Sequence, residues 1–184
     1  TDQNIQAQSI DAATSSDPNF KASNVVLYEG DYVQDTFVVN EVTPERYILK
    51  NKTVDTDSII VTVIEDNGEN VLQYTKRDTL FGLGTTSQVY FIQPAENDSY
   101  EIYFGDGVIG RAPKNNSLVV IEYRACNGEL PNGIRNFKAD DDIGTASVIQ
   151  ITTSSSATGG AVAESLSSIK FNAPRAFSTQ ERVV

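Results

Sequence analysis

The sequence contains no histidine, no methionine and no tryptophan, and it has one cysteine, Cys126. Without an imidazole, His-dependent catalytic triads and His-ligated metal sites are excluded. One thiol cannot build an internal disulfide framework. Cys126 closes the strand-like run "LVVIEYRA" and is expected to be a structural residue filling a small space. Positive charge is also scarce: 14 Lys and Arg stand against 25 Asp and Glu, a formal net charge of −11. Phosphate contacts need clustered cations, so nucleic acid is not an expected partner. No apolar run approaches the roughly 20 residues of a transmembrane helix, and no membrane partner is expected. With no initiator Met, and with Val183-Val184 ending inside an apolar pattern, the chain is expected to be a fragment of a longer polypeptide.

The 184 residues that are present suffice for a sizeable core, since a chain of this length buries roughly 70% of its unfolded surface. Charge is unevenly spread: residues 1–66 carry 12 acids and 4 bases, whereas residues 67–138 carry 8 and 7. Arg111, Lys114, Arg124, Arg135 and Lys138 form the nearest approach to a basic patch, either a solvated surface or a contact for an acidic neighbour. The acidic run Asp140-Asp141-Asp142 is expected to be a solvated linker, with no metal site.

Residues 1–23 are polar and weakly patterned. From there to residue 143 β-patterned runs recur. "DYVQDTFVV" alternates Tyr32, Gln34, Thr36 and Val38 against Val33, Asp35, Phe37 and Val39, the period of a half-buried strand. "RYILKN" (46–51), "SIIVTVIE" (58–65), "NVLQYTKR" (70–77), "QVYFIQ" (88–93), "SYEIYFG" (99–105) and "SLVVIEYRA" (117–125) continue the series. Asp66, Asn67 and Gly68 predict a tight hairpin turn, and two more Asn-Gly turns fall at 127–128 and 132–133. The pattern predicts a mainly β fold, an antiparallel sandwich or open barrel-like domain.

Gly105, Gly107 and Gly110 in "FGDGVIG" have the spacing of a dinucleotide-binding fingerprint. That fingerprint works only where a helix starts within the glycines and turns its N–H groups to the pyrophosphate. Here Arg111, Ala112 and Pro113 follow, then polar residues and another strand, so no cofactor is expected. The glycines are instead expected to let "EIYF" reverse into "LVVIEY" through a structural hairpin of Gly105, Asp106, Gly107, Gly110 and Pro113, with Asp106 bonding nearby backbone N–H groups. Arg111 and Lys114 are candidate interface residues beside it.

Residues 144–184 predict one more strand, Ser147 to Thr152, then a Ser/Thr/Gly linker and a short amphipathic α-helix ended by Pro174. Val162, Leu166, Ile169 and Ala173 share one face of it, and the first three are further interface candidates because so narrow a stripe needs something to dock on.

"YEIYFGDGVIGRAPKNNSLVVIEYRACNGELPNG" resembles the central signature of the baseplate-J superfamily, and "GGAVAESLSSIKFNAPRAFSTQERVV" resembles its next block. Family members often carry an acid just after the Gly-Gly; Ala161 stands there, and Glu164 is the acid nearby. The resemblance implies a non-enzymatic structural subunit of a contractile phage tail baseplate wedge, located in the virion tail and assembled in the host cytoplasm. It further implies homodimers, contacts with other baseplate wedge subunits, a place in the ring around the tail hub and a part in sheath contraction. No small-molecule substrate is expected. Two other readings compete. A carbohydrate- or receptor-binding β-module would use exposed aromatics such as Tyr28, Tyr90 or Tyr100. A glycoside hydrolase would need paired carboxylates, with Asp106 near Glu101 or Asp98 as the one cluster to test.

Overall fold

The computed structural model describes residues 23–40, 46–142, 149–161 and Phe171. The chain divides into two compact units, Thr1–Cys126 and Asn127–Val184.

The first unit is a mixed seven-stranded sheet. Its strands are β1 (Asp31–Val38), β2 (Tyr47–Ile48), β3 (Val54–Glu65), β4 (Asn70–Lys76), β5 (Val89–Pro94), β6 (Tyr100–Phe104) and β7 (Leu118–Ala125). Their order across the sheet is β1-β7-β3-β4-β5-β6-β2. Strict alternation explains the central strands. In β7, Val119, Ile121, Tyr123 and Ala125 turn inward, and in β3 Ile59, Val61, Val63 and Glu65 do the same. The β3–β4 hairpin closes where the sequence places it, with Asp66, Asn67 and Gly68 all at positive φ. Asn97 and Asp98 perform the same service between β5 and β6.

The sheet curls until its outer strands nearly meet. Phe37 of β1 packs edge-on against Tyr47 of β2 at 5.3 Å; Tyr47 meets Phe104 at 5.5 Å, and Phe104 meets Tyr74 at 5.0 Å. The first pair joins the two outer strands, and the aromatic chain continues through β6 to Tyr74 on β4. Each such pair contributes about 0.5–1.5 kcal/mol beyond its burial. The Lys50 N–H, just past β2, donates to Asp35 Oδ2 at 3.0 Å and stitches the same seam. A nearly closed, barrel-like sheet results.

Three features differ from the sequence reading. β4 and β5 run parallel, pairing Thr75 with Val89 and Lys76 with Tyr90. The connection over residues 77–88 is long enough to return the chain to its starting end, which a two-residue turn cannot do. β6 and β7 are not neighbours, so "EIYF" does not reverse into "LVVIEY" as a hairpin. Both edges of β7 are occupied, by β1 and β3, and residues 105–117 cross between separate parts of the sheet. Residues 149–152 form no strand, although one is expected over Ser147 to Thr152.

In the second unit the predicted Asn-Gly turns are present, with Gly128 and Gly133 at positive φ. The Asn132 side-chain amide pairs with both backbone groups of Gly160, at 2.8 and 3.0 Å. A Cβ on Gly160 would sit 2.1 Å from the Gly128 carbonyl oxygen, so the glycine doublet permits this contact. The expected helix carrying Val162, Leu166 and Ile169 lies outside the described residues.

Candidate functional site

The glycine loop after β6 closes on itself. Asp106 Oδ1 accepts the N–H groups of Val108 at 2.9 Å and Ile109 at 2.8 Å, and the Gly107 N–H donates to the Gly110 carbonyl at 3.0 Å. Those backbone bonds hold the Asp106 carboxyl below the usual carboxylate range. Its glycines serve two different needs. Gly107 has φ +86° and open space around it, so its requirement is conformational. Gly105 has no positive φ; a Cβ there would lie 2.3 Å from the Ile109 carbonyl oxygen and 2.5 Å from Gly110. Its requirement is room for backbone against backbone.

The loop is fastened on both sides. The Gly110 N–H donates to Gly84 O at 3.1 Å, and the Arg111 N–H donates to Ser87 O at 2.7 Å. The Arg111 guanidinium reaches Glu65 Oε2 at 2.6 Å, and Lys114 Nζ lies 3.4 Å from the same oxygen and 2.8 Å from Asp66 Oδ2. Glu65 is 0% exposed, the last inward residue of β3, so an unpaired charge there would be costly. The Lys114 ammonium holds Asp66 below its ordinary range, and Asp66 raises Lys114 in return. Burial pushes the neighbouring Tyr74 phenol up to about 12.

Arg111 and Lys114, the candidate interface cations, are thus engaged within the chain. Arg124 likewise pairs with Asp55 at 2.6 Å and Lys138 with Asp140 at 3.1 Å. Pro113 lies half-buried in the crossover. Glu65 and Asp66 are the partners that motif reasoning missed. The signal for Glu65 was available: it continues the inward register of Ile59, Val61 and Val63, which predicts a buried acid in need of a cation.

The glycosidase cluster is not assembled. Asp98 and Asp106 lie beyond opposite ends of β6, and Glu101 is engaged by Arg46 and Gln93. The sugar-stacking aromatics fare no better. Tyr90 is buried and donates its hydroxyl to Ile59 O at 3.1 Å, Tyr100 packs half-buried on the core, and the Arg124 guanidinium covers Tyr28 at 4.4 Å. Cys126 is half-buried, its thiol donating to Glu29 O at 3.1 Å; burial raises its pKa, the wrong direction for a nucleophile.

A groove of about 210 Å³ opens beside the glycine loop, lined by Leu80, Phe91, Tyr103, Phe104, Gly105, Asp106 and Ile109. Phe91 and Tyr103 stack at 5.2 Å in its wall. Small-molecule sites usually occupy about 300–1,000 Å³, so this groove suits one large side chain better than a cofactor.

The chain matches no protein-family model. It is similar to the baseplate wedge protein gp6 of Enterobacteria phage T4, with 27% identity over 140 aligned positions that cover 68% of this chain. The chain spans 20% of that relative's length.

Proposed function

We propose that the chain is a non-enzymatic structural segment of a contractile phage tail baseplate wedge and a member of the baseplate-J superfamily. In this reading the whole protein dimerises, binds other wedge subunits, helps form the ring around the tail hub, and moves with the baseplate when the sheath contracts. Assembly takes place in the host cytoplasm. The observation that carries the reading is the likeness to a baseplate wedge protein over 68% of the chain. A loop held by backbone bonds and by the Arg111–Glu65 pair is compatible with a structural role. The domain reading is a polar segment over 1–23, a baseplate-like β-domain over 24–143, and a connection over 144–184 toward a following domain.

The test is imaging of assembled particles that carry the full-length protein with a label fused to this segment. Label at the tail baseplate is the expected result. Label absent from the particle, or confined to another part of it, sinks the reading.

A further inference from the structure

The loop after β4 and the loop after β6 present exposed apolar side chains next to one another. Leu80 and Ile109 line the same groove, and their chain neighbours Phe81 and Val108 are 95% and 69% exposed. Apolar clusters of this kind on a folded surface mark contact sites. The two loops are already one body: the bonds from Gly110 to Gly84 and from Arg111 to Ser87 join their backbones. Ser87 Oγ accepts the Gly84 N–H at 3.0 Å, fixing the first loop internally. A surface assembled in advance loses little conformational freedom when it binds.

Asp106 supplies the polarity. Among the described residues it is the charged member of the groove lining. Its Oδ1 is used by Val108 and Ile109. The nearby cations Arg111 and Lys114 are committed to Glu65 and Asp66, so they leave the Asp106 charge for a partner to meet. We propose that residues 78–88 and 105–110 form a preassembled platform that docks a protein segment carrying an apolar side chain directly beside a lysine or arginine. The apolar anchor enters the groove and the cation meets Asp106. That the partner is a protein rests on the structural-subunit reading above. The groove lining combines the Asp106 carboxylate and the Tyr103 phenol with apolar and aromatic walls, and the glycan array tests a sugar as the alternative occupant.

The test is a peptide array probed with the full-length protein. Each peptide carries a central Leu or Phe flanked by Lys and Arg, by Ser, or by Glu, and a glycan array is run in parallel. Basic flanks should bind about tenfold more tightly than acidic ones. Phe81→Ser and Ile109→Ser should each weaken every peptide about tenfold. Asp106→Asn keeps an oxygen for the two loop N–H groups, so it should remove the preference for basic flanks and leave anchor binding intact. Circular dichroism of each variant checks that the fold survives. Equal binding of all three peptide classes, indifference to Phe81→Ser and Ile109→Ser, or saturable sugar binding overturns the proposal. Particle imaging separates its failure from that of the parent reading. The platform facing solvent in an assembled baseplate overturns this inference alone, whereas absence of the protein from the tail overturns the structural reading.

Discussion

Of the three carboxylates buried among the described residues of the β-unit, Asp35, Glu65 and Glu101, the first two are treated differently. Asp35, on β1, accepts the Tyr123 hydroxyl at 2.8 Å and the Lys50 N–H at 3.0 Å, with Lys50 Nζ at 3.4 Å. Neutral donors do most of that work, and they come from β7 and from the segment after β2. The result is a polar stitch across the barrel seam. Glu65, at the end of β3, instead takes two cations from the crossover loop on a single oxygen, and its Oε1 has no hydrogen-bond partner among the described residues. One acid binds strand to strand; the other binds the crossover loop to the sheet. A buried acid satisfied by neutral donors tolerates loss of its charge, whereas one held by ion pairs does not tolerate loss of its partner.

The largest effect should come from breaking the ion pair on one side. Arg111→Met strands Glu65 with only the more distant Lys114, and urea unfolding should report a loss of about 3 kcal/mol. Glu65→Leu combined with Arg111→Met removes both charges and should recover much of that loss. If the double variant is no more stable than Arg111→Met, the Glu65 cluster is not an ion-pair clamp. Next in size is Asp35→Asn. The amide oxygen still accepts from Tyr123 and Lys50, so the cost should be about 1–2 kcal/mol. A loss as great as that of Arg111→Met would erase the distinction between the two sites.

The same contrast shows how far the sequence could be read. Local features were legible: the alternation in "DYVQDTFVV", the turn at Asp66-Asn67-Gly68, and the strand that follows the glycine run where the fingerprint would need a helix. Periodicity also placed Asp35 with Val33 and Phe37 on one face, and Asp35 is indeed buried. What periodicity does not carry is which strands become neighbours. The parallel β4–β5 pair, the separation of β6 from β7 and the Phe37–Tyr47 seam depend on long-range packing, and no local spacing encodes them. Gly105 illustrates the limit within the candidate site. Its spacing suggested a backbone angle, whereas the structure requires space, because the contact that forbids a Cβ is made by residues four and five positions later.

A weaker effect acts at both sites at high pH. Tyr123 at the Asp35 site and Tyr74 beside the Glu65 cluster both have phenols raised from 10.0 to about 12, chiefly by burial, as does Tyr90 in the core. A folded pKa above the unfolded one gives stability that is complete below pH 10 and is lost as pH rises toward 12. Chemical denaturation should therefore show a plateau to pH 10 and a decline above it. Tyr123→Phe should blunt that decline while lowering the plateau, because Asp35 loses its phenol donor. A tyrosinate absorbance titration with all midpoints near 10 in the folded protein counts against burial as the cause.

The smallest effect belongs to the exposed half of the clamp. Lys114 is half in solvent and reaches Asp66 at 2.8 Å, so Lys114→Ala should shift the urea midpoint less than Asp35→Asn does. Its signature is in the pH and salt response. Asp66 is held below its usual pKa, so its contribution is full above the unfolded value and disappears as pH falls through the folded one. Lys114 is raised, so its share persists through neutral pH and disappears as pH climbs past its folded value. Lys114→Ala should remove the Asp66-linked part of the acid slope, and the wild-type advantage over the variant should shrink at high salt. Arg111→Met should keep its cost in salt, because Glu65 is shielded from solvent ions. If salt rescues both variants alike, the two cations share one exposed site, and the crossover loop has no buried anchor.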